Sequence, residues 1–239
     1  MNAKNVPIKE IIQLLEVVES LHSLDAYSAG HCWRVSDYAH LIGDHFGLTG
    51  KELLFLLVGG VVHDIGKHDL PIAIIQKPGK LERHEREQIE LHSVLGAERL
   101  KDNPLMPFIQ SAILQHHERL DGSGYPFGLI GDEISIYGRI IAIADVYDAL
   151  TSNRPYRDMA DHEDALQFLK ENSGIQFDGE LIKIFESIPF ERIQIIKRIG
   201  NIHPLSSEPW KDKEIQEATR WHSLLLEHDR SSHFNPIIK

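Results

Sequence analysis

The chain has 239 residues, of which 42% are apolar and 26% are charged, and its formal net charge is −11. This composition suffices for one large or two small domains with a hydrophobic core, while the negative charge argues against a nucleic-acid binder, which the phosphate backbone would repel. The single cysteine, Cys32, excludes an internal disulfide and fits a reducing compartment, so we expect a cytoplasmic protein.

No segment of the sequence indicates a membrane protein. The first ten residues lack the apolar core of a signal peptide. The longest apolar run, residues 53–62, includes Gly59 and Gly60 and is shorter than the ~20 residues that a membrane-spanning helix needs. We therefore predict that this run is a buried helix and that the protein has no membrane partner.

The spacing of apolar residues predicts an all-α fold, because strand signals are nearly absent. An amphipathic helix at 7–23 is followed by a second at about 30–46. Thr49 and Glu52 are spaced as a capping box for a third at 50–66. A loop with one short turn is expected around 71–81. Further helices are predicted at 82–101, 105–118, 136–151, 161–172, 178–187 and 212–228.

The chain divides into three predicted segments. An N-terminal helical segment at 1–19 either pairs with its copy in a homodimer or closes the core, and a catalytic domain spans 20–188. Pro189, Gly200, Pro204 and Pro209 interrupt the helical pattern, so 189–239 is predicted to be a C-terminal helical extension with no assigned role. The glycine-rich segment 119–135 is long for a loop of a compact domain, and such loops are usually functional.

Seven candidate metal ligands recur along the predicted catalytic domain. Imidazole and carboxylate groups without thiolates suit divalent ions such as Mn, Fe, Zn or Co. Seven ligands exceed what one tetrahedral ion takes, but they suit two ions that share a carboxylate, as in enzymes that cleave phosphate esters. The seven are His31, His63, Asp64, His92, His116, His117 and Asp145.

The surroundings of these residues favour the same interpretation. Asp64 has two oxygens and can bridge two ions, and Lys67 follows it at a spacing that brings its ammonium to the same side of a helix. Gly66 leaves room for a close approach. Asp145 lies among apolar neighbours, where a carboxylate needs a cation partner. Each feature alone is common, and the combination carries the prediction.

These motifs resemble the HD-GYP family, metal-dependent cyclic-dinucleotide phosphodiesterases of the HD superfamily. The resemblance covers about 20–188. Its motifs are His31 followed by Arg34, the run 63–67 (His-Asp-Ile-Gly-Lys), the run 77–81, His92, the run 116–126 that ends in Gly124-Tyr125-Pro126, and the runs 145–151 and 154–157. Leu120, His68 and Asp69 depart from the usual family residues without removing a ligand.

The resemblance implies a helical bundle with a dinuclear metal centre. His31, His63, Asp64 and Asp145 would hold one ion, and Asp64, His92, His116 and His117 the other. Some relatives bind a third ion through a glutamate one turn before the first histidine, where this chain has Tyr27. Two ions are therefore expected, with iron or manganese as the metals that the family favours.

The resemblance also implies hydrolysis of cyclic di-GMP to pGpG, GMP or both, with His63, Asp64 and Lys67 as catalytic residues. Lys67, Tyr125, Arg154 and Arg157 are the expected substrate contacts. Gly124, Tyr125 and Pro126 form a loop that in the family has been linked to diguanylate cyclase-type partner domains.

Two alternatives stay open at this stage. The same site could act on another dinucleotide, such as cyclic GMP-AMP or linear pGpG, since the sequence does not define the base pocket. The chain could also be a weakly active signalling adaptor that docks through the loop, although an adaptor need not retain all seven ligands and Lys67.

Overall fold

The computed structural model describes Leu14, residues 26–152 and residues 159–199. The predicted helix at 212–228, the helix at 7–23 apart from Leu14, and the proposed substrate contacts Arg154 and Arg157 lie outside these residues. The side chain of Tyr27 is also outside the description, so its consequence for the number of ions stays a prediction.

The described residues fold into α-helices joined by short 3-10 turns, and they contain no β-strand, only isolated bridges such as that between Asp121 and Ile130. The all-α prediction is confirmed. In chain order the helices are α1 Ala26–Phe46, α2 Lys51–Val62, α3 Ile72–Ile75, α4 Arg83–Glu90, α5 His92–Arg99, α6 Met106–Gln115, α7 Ile136–Thr151, α8 His162–Glu171, α9 Gly179–Ser187 and α10 Phe190–Ile199. No helix in this part of the chain is long and apolar enough to cross a membrane.

The predicted helix at 50–66 was too long. The α-helix ends at Val62, and after His63 and Asp64 the chain continues as a 3-10 helix, Ile65–Asp69. Half of the predicted capping box forms, with the Glu52 carboxylate accepting from the Thr49 N–H at 3.2 Å and no cap from the Thr49 hydroxyl. The early end places the His-Asp pair at a turn rather than within a regular helix.

The predicted helix at 82–101 is two helices that meet at Leu91. The Leu91 N–H donates to the Gln88 carbonyl three residues back, which tightens the turn and separates α4 from α5. A third difference is α10, which was not among the predicted helices. Its Ile193 and Ile196 are buried in the same core as α1 and α7–α9.

The hydrophobic core has two parts on either side of α1. One joins α1, α7, α8, α9 and α10, with Tyr38, Tyr147 and Phe185 packed edge to face. The other joins α1 to α2 and α6. Candidate ligands come from helices of both parts, so burial of apolar surface, at about 25 cal/mol per Å², also holds the polar cluster together.

Two glycines permit the close approaches that form this junction. A Cβ on Gly60 of α2 would lie 2.8 Å from the Ser36 Cα of α1. A Cβ on Gly66 would lie 1.9 Å from the His92 carbonyl oxygen and 2.4 Å from the Gly96 nitrogen. The room that the sequence assigned to Gly66 is therefore used by the backbone of α5, which brings His92 beside Asp64.

A buried carboxylate in α1 leads to a prediction about pH. Asp37 is 7% exposed, and burial raises its pKa from 3.8 to about 8. Because the folded-state pKa is raised, the stability that the neutral carboxyl group contributes is fully present below the unfolded-state pKa of 3.8. It is lost as the pH rises through the folded-state pKa of about 8. Asp37→Asn, which stays neutral, should therefore match the parent at low pH and exceed its stability by roughly 1–3 kcal/mol at pH 9.

Urea unfolding of chelator-treated protein from pH 3.5 to 9 measures this effect. Asp44→Asn is the matched control, because Asp44 is an exposed carboxylate in the same helix. A constant difference between Asp37→Asn and the parent at all pH values would contradict the assignment.

Candidate metal centre

The structure brings all seven candidate ligands together in the centre of the bundle. His31 lies in α1, His63 and Asp64 just after α2, His92 at the start of α5, His116 and His117 just after α6, and Asp145 in α7. Their ligand atoms form two groups, each within 4.8 Å, and the groups are His31, His63 and Asp145, and Asp64, His92, His116 and His117. The assignment of each residue to an ion remains a prediction.

Asp64 belongs to the second group but also faces the first. Its Oδ2 is 3.7 Å from His31 Nε2 and 3.5 Å from His63 Nε2. Its Oδ1 is 3.3 Å from His92 Nε2 and 4.0 Å from His116 Nε2. Each oxygen therefore faces a different set of imidazoles, which is the geometry that a bridging carboxylate needs.

Four of the histidines are oriented through their distal nitrogen. The Nδ1 atoms of His63 and His92 lie 2.7 and 2.6 Å from the carbonyls of Gly60 and Ile89. His116 Nδ1 lies 2.9 Å from the Ile113 carbonyl, and His31 Nδ1 lies 2.7 Å from Asp148 Oδ2. A carbonyl accepts only from a protonated Nδ1, so the Nε2 lone pair points into the cluster, as in metal-bound histidines.

The acceptor atoms that converge in the cluster show whether a metal ion would fit there. His92 Nε2 and His116 Nε2 are 3.1 Å apart, and both are acceptors in this tautomer. Among the described residues, His63 Nε2 and Asp64 Oδ1 are buried without a hydrogen-bond partner. Two nitrogens bound to one ion at about 2.0–2.1 Å are separated by about 3 Å. The residues present therefore fit divalent cations.

Electrostatics hold the ligands in their binding forms. Burial lowers the pKa of His63, His92 and His116, so these imidazoles are neutral near pH 7. Burial opposes ionisation of Asp64, but Lys67 and the surrounding histidines lower its pKa well below the usual range. Neutral imidazoles and an ionised carboxylate bind a cation without first losing a proton.

His31 is the exception in the absence of metal. Burial lowers its pKa, but hydrogen bonds and charge from Asp145 and Asp148 outweigh this and raise the pKa to about 9. Its Nε2 lies 3.1 Å from Asp145 Oδ1, so a proton occupies the position where a cation would bind. Metal uptake at this group therefore releases a proton.

Lys67 lies at the edge of the cluster, where the sequence analysis expected it. Its ammonium pairs with Asp64 Oδ2, and 27% of its side chain is exposed. The pairing arises across a turn and the start of a 3-10 helix rather than along one α-helix. The Lys67 ammonium thus lies beside the Asp64 carboxylate on a side chain that is partly exposed to solvent.

The segment 119–135 is a long loop, as predicted, with one 3-10 turn at Gly131–Glu133, and it packs against the cluster. The buried Glu118 carboxylate accepts from the Phe127 and Leu129 N–H groups at 2.7 and 3.0 Å. A Cβ on Gly124 would lie 2.6 Å from the His117 carbonyl oxygen, so the loop backbone lies directly on the ligand segment. The Tyr125 ring stacks on His117, and the Tyr125–Pro126 peptide is cis.

Sequence reasoning missed the roles of Asp148 and Arg34. Asp148 is fully buried and accepts from His31 Nδ1, from Arg34 Nε at 2.6 Å and from Arg34 Nη2 at 3.0 Å. It follows Asp145 by one turn of α7, so one helix supplies a candidate ligand and the carboxylate that orients His31. That three-residue spacing, with an arginine three residues after His31, was the available signal.

Asp148→Asn should weaken metal binding and stability together. The amide cannot balance the Arg34 charge, and breaking such a buried pair costs about 3–5 kcal/mol. Loss of an outer partner of a ligand should lower metal affinity about 10–100-fold. Metal titration and urea unfolding check both effects. Asp132→Asn is the control, because Asp132 contacts Arg139 from a 99% exposed position, and equal behaviour of the two variants would refute the role.

The helical fold and the buried cluster of imidazoles and carboxylates define a helical domain built around a site that fits metal ions. The family described as HD domain matches residues 12–181, well over half of the sequence. The chain therefore belongs to the HD domain family.

The chain is similar in sequence to curated proteins that are named as phosphodiesterases. The 3'3'-cGAMP-specific phosphodiesterase 3 of Vibrio cholerae is 38% identical over 175 residues, which are 71% of this chain and 38% of the relative. The cyclic di-GMP phosphodiesterase response regulator of Xanthomonas campestris is 33% identical over 199 residues, covering 82% of this chain and 52% of the relative. The chain thus spans about two fifths to about half of the length of these relatives.

Solved structures agree on the fold. An "HDG"Y"P protein" from Bdellovibrio bacteriovorus has a TM-score of 0.57 at 18% identity, covering 75% of this chain and 69% of that one. The HD domain of the phosphodiesterase PgpH from L. monocytogenes has a TM-score of 0.55 at 21% identity, covering 77% and 98%. The resemblance recognised from the sequence and the HD-type helical fold are confirmed.

Proposed function

We propose that this chain is a metal-dependent phosphodiesterase that hydrolyses a cyclic dinucleotide, with cyclic di-GMP opened to pGpG, GMP or both as the first candidate. The observation that carries the proposal is the position of Asp64, whose two oxygens each face a separate set of ligand atoms. A shared carboxylate between two ions is the arrangement used for phosphate-ester cleavage. The names of the relatives support the substrate class.

The proposed centre holds two divalent ions, with iron and manganese as the expected metals. Asp64 would be shared between the groups formed by His31, His63 and Asp145 and by His92, His116 and His117. When bound, such ions lower the pKa of a bound water and polarise the phosphate ester. The near-complete burial of His63, Asp64 and His92 keeps bulk water from the inner side of the site.

Lys67 is the proposed electrostatic catalyst from the protein itself. Its partly exposed ammonium already lies beside Asp64, so a phosphate held at the cluster would contact it. We propose that Lys67 stabilises the charge that builds on the non-bridging oxygens as the ester bond breaks. Arg154 and Arg157 stay proposed contacts for phosphate or guanine, for which a guanidinium fork is well suited.

Cyclic GMP-AMP is the second candidate substrate. Three relatives from V. cholerae bear that specificity in their names and are 36–39% identical to this chain. Relatives named for cyclic di-GMP span a similar range, at 31–40%. Overall similarity therefore gives no ranking, and the base pocket decides between them.

Product analysis tests the proposal. Protein purified without oxygen and loaded with Fe(II) or Mn(II) is incubated separately with cyclic di-GMP, cyclic GMP-AMP and pGpG, and nucleotides are followed by chromatography. Hydrolysis of a cyclic dinucleotide that the His63→Ala/Asp64→Ala double variant lacks is the expected result. Fully loaded protein without any product would refute the enzyme and favour the adaptor that docks through its loop.

A further inference from the structure

One histidine of the cluster is held in place differently from the others. The Nδ1 atoms of His31, His63, His92 and His116 each contact a carbonyl or carboxylate oxygen. Within the described residues, neither ring nitrogen of His117 makes a hydrogen bond. His117 is also only partly buried, whereas His63, His92 and His116 are almost completely buried. A ligand without an outer hydrogen bond needs another source of orientation.

The Tyr125 ring is placed to supply that orientation. It stacks on His117 with ring centroids 4.7 Å apart and planes inclined by 30°, within the range of favourable aromatic pairs. It also lies edge-on to His92 at 6.2 Å. Its hydroxyl makes no hydrogen bond to any described residue, so the ring face, and not the phenol oxygen, forms the contact with the cluster.

Backbone contacts on both sides of Tyr125 hold its main chain against the ligand segment. The Tyr125 N–H donates to the carbonyl of His117 itself at 3.2 Å. Gly124 lies so close to the 117–119 backbone that a Cβ there would be 2.4 Å from the Arg119 nitrogen. After Pro126, the Glu118 carboxylate holds the N–H groups of Phe127 and Leu129. The main chain that carries the stacking ring is therefore tied to the segment that carries His117.

We propose that Tyr125 is a positioning residue for a metal ligand: its ring orients His117 by stacking, in place of the hydrogen bond that orients the other four histidines. The inference rests on the part of the proposed function that the cluster binds divalent ions. It assigns the tyrosine a role in metal affinity, distinct from stacking on a substrate base.

Two substitutions separate the ring from its hydroxyl. Tyr125→Phe keeps the stacking face, so its affinity for the ion at His117 should equal that of the parent. Tyr125→Leu removes the face, and the affinity for that one ion should fall about tenfold, the lower limit for loss of an outer partner. Affinities are measured by titrating chelator-treated protein with Mn(II) and Co(II), and the Co(II) absorption spectrum should change only in the leucine variant.

A double-mutant cycle with His117→Ala distinguishes positioning from a general structural effect. In the His117→Ala background, Tyr125→Leu should cause no further loss of metal affinity, because the contact is already absent. Equal losses in both backgrounds would overturn the proposal. If circular dichroism shows that Tyr125→Leu does not fold, Tyr125→Met takes its place in the cycle.

The test of the Tyr125 role can be distinguished from the test of phosphodiesterase activity. Unchanged metal affinity in Tyr125→Leu together with a raised KM would overturn the positioning role and place Tyr125 on the substrate. If the parent protein binds two ions but cleaves no cyclic dinucleotide, the proposed function fails, while the metal titrations still decide the role of Tyr125.

Discussion

Asp64→Ala is expected to lose both metal ions and to lower turnover by at least about a thousandfold. Among the candidate ligands, Asp64 faces both groups, with its two oxygens 3.3–3.7 Å from nitrogens on either side. Loss of a group that only hydrogen-bonds a metal ligand typically lowers metal affinity or activity about 10–100-fold. Loss of a ligand shared by two ions should lower them more. The four surrounding imidazoles would also lose their central negative charge.

Metal content by mass spectrometry and single-turnover hydrolysis measure this prediction. Asp69→Ala is the matched control, because Asp69 is an exposed carboxylate in the adjacent 3-10 helix that pairs with Arg99. Such an exposed pair contributes about 0–1 kcal/mol, so the control should retain metal and activity. Normal metal content and hydrolysis in Asp64→Ala would contradict the bridging role.

Lys67→Met is expected to lower kcat by about 10²–10³-fold with little change in KM, the loss typical of removing one group that stabilises transition-state charge. Metal content should not fall. Burial opposes the charged form of Lys67, but Asp64 raises its pKa, so in the metal-free protein the ammonium neutralises the carboxylate that a metal would bind. Its removal eliminates a competing cation.

Lys101→Met is a matched control for this variant. Lys101 forms a pair with Glu98 at the same three-residue spacing, but both side chains are exposed. Steady-state kinetics under metal saturation should show no change in Lys101→Met. A Lys67→Met variant with altered affinity and unaltered kcat would refute the transition-state role and leave Lys67 as a binding residue.

Local sequence signals were sufficient to predict the bounds of a helix where its cap and its apolar spacing agree. The prediction at 136–151 matches α7, Ile136–Thr151, because Ser135 caps it by accepting from the Gly138 N–H and apolar residues fill its buried face. The candidate ligands were found because histidine and aspartate have few other reasons to recur in that order. Their convergence required the fold, since α1, α5 and α7 are distant in sequence.

The errors arose where packing overrides a local signal. Pro189 was interpreted as a break in the chain, but it immediately precedes α10, and its carbonyl accepts from the Arg192 N–H. Proline is compatible with a helix start, and burial of Ile193 and Ile196 against the core decides the outcome. The end of α2 before Gly66 likewise depends on contact with α5. Local helix propensity does not include such a tertiary contact.

The residues that orient the candidate metal ligands were equally hard to predict. Asp148 is one of 36 acidic residues in the chain, and only the folded arrangement brings it to His31 and Arg34. The stacking of Tyr125 on His117 also depends on the path of the loop, which Glu118 and Gly124 determine. Spacing can identify atoms that bind a metal, but the groups that orient them follow from tertiary contacts.

The most direct test of the proposed two-ion centre is anomalous diffraction from crystals grown with Mn(II) or, without oxygen, Fe(II). Two peaks are expected, one on each side of Asp64, with one bound by His31, His63 and Asp145 and the other by His92, His116 and His117. A single peak, a third peak, or ions away from Asp64 would contradict a dinuclear centre bridged by this carboxylate.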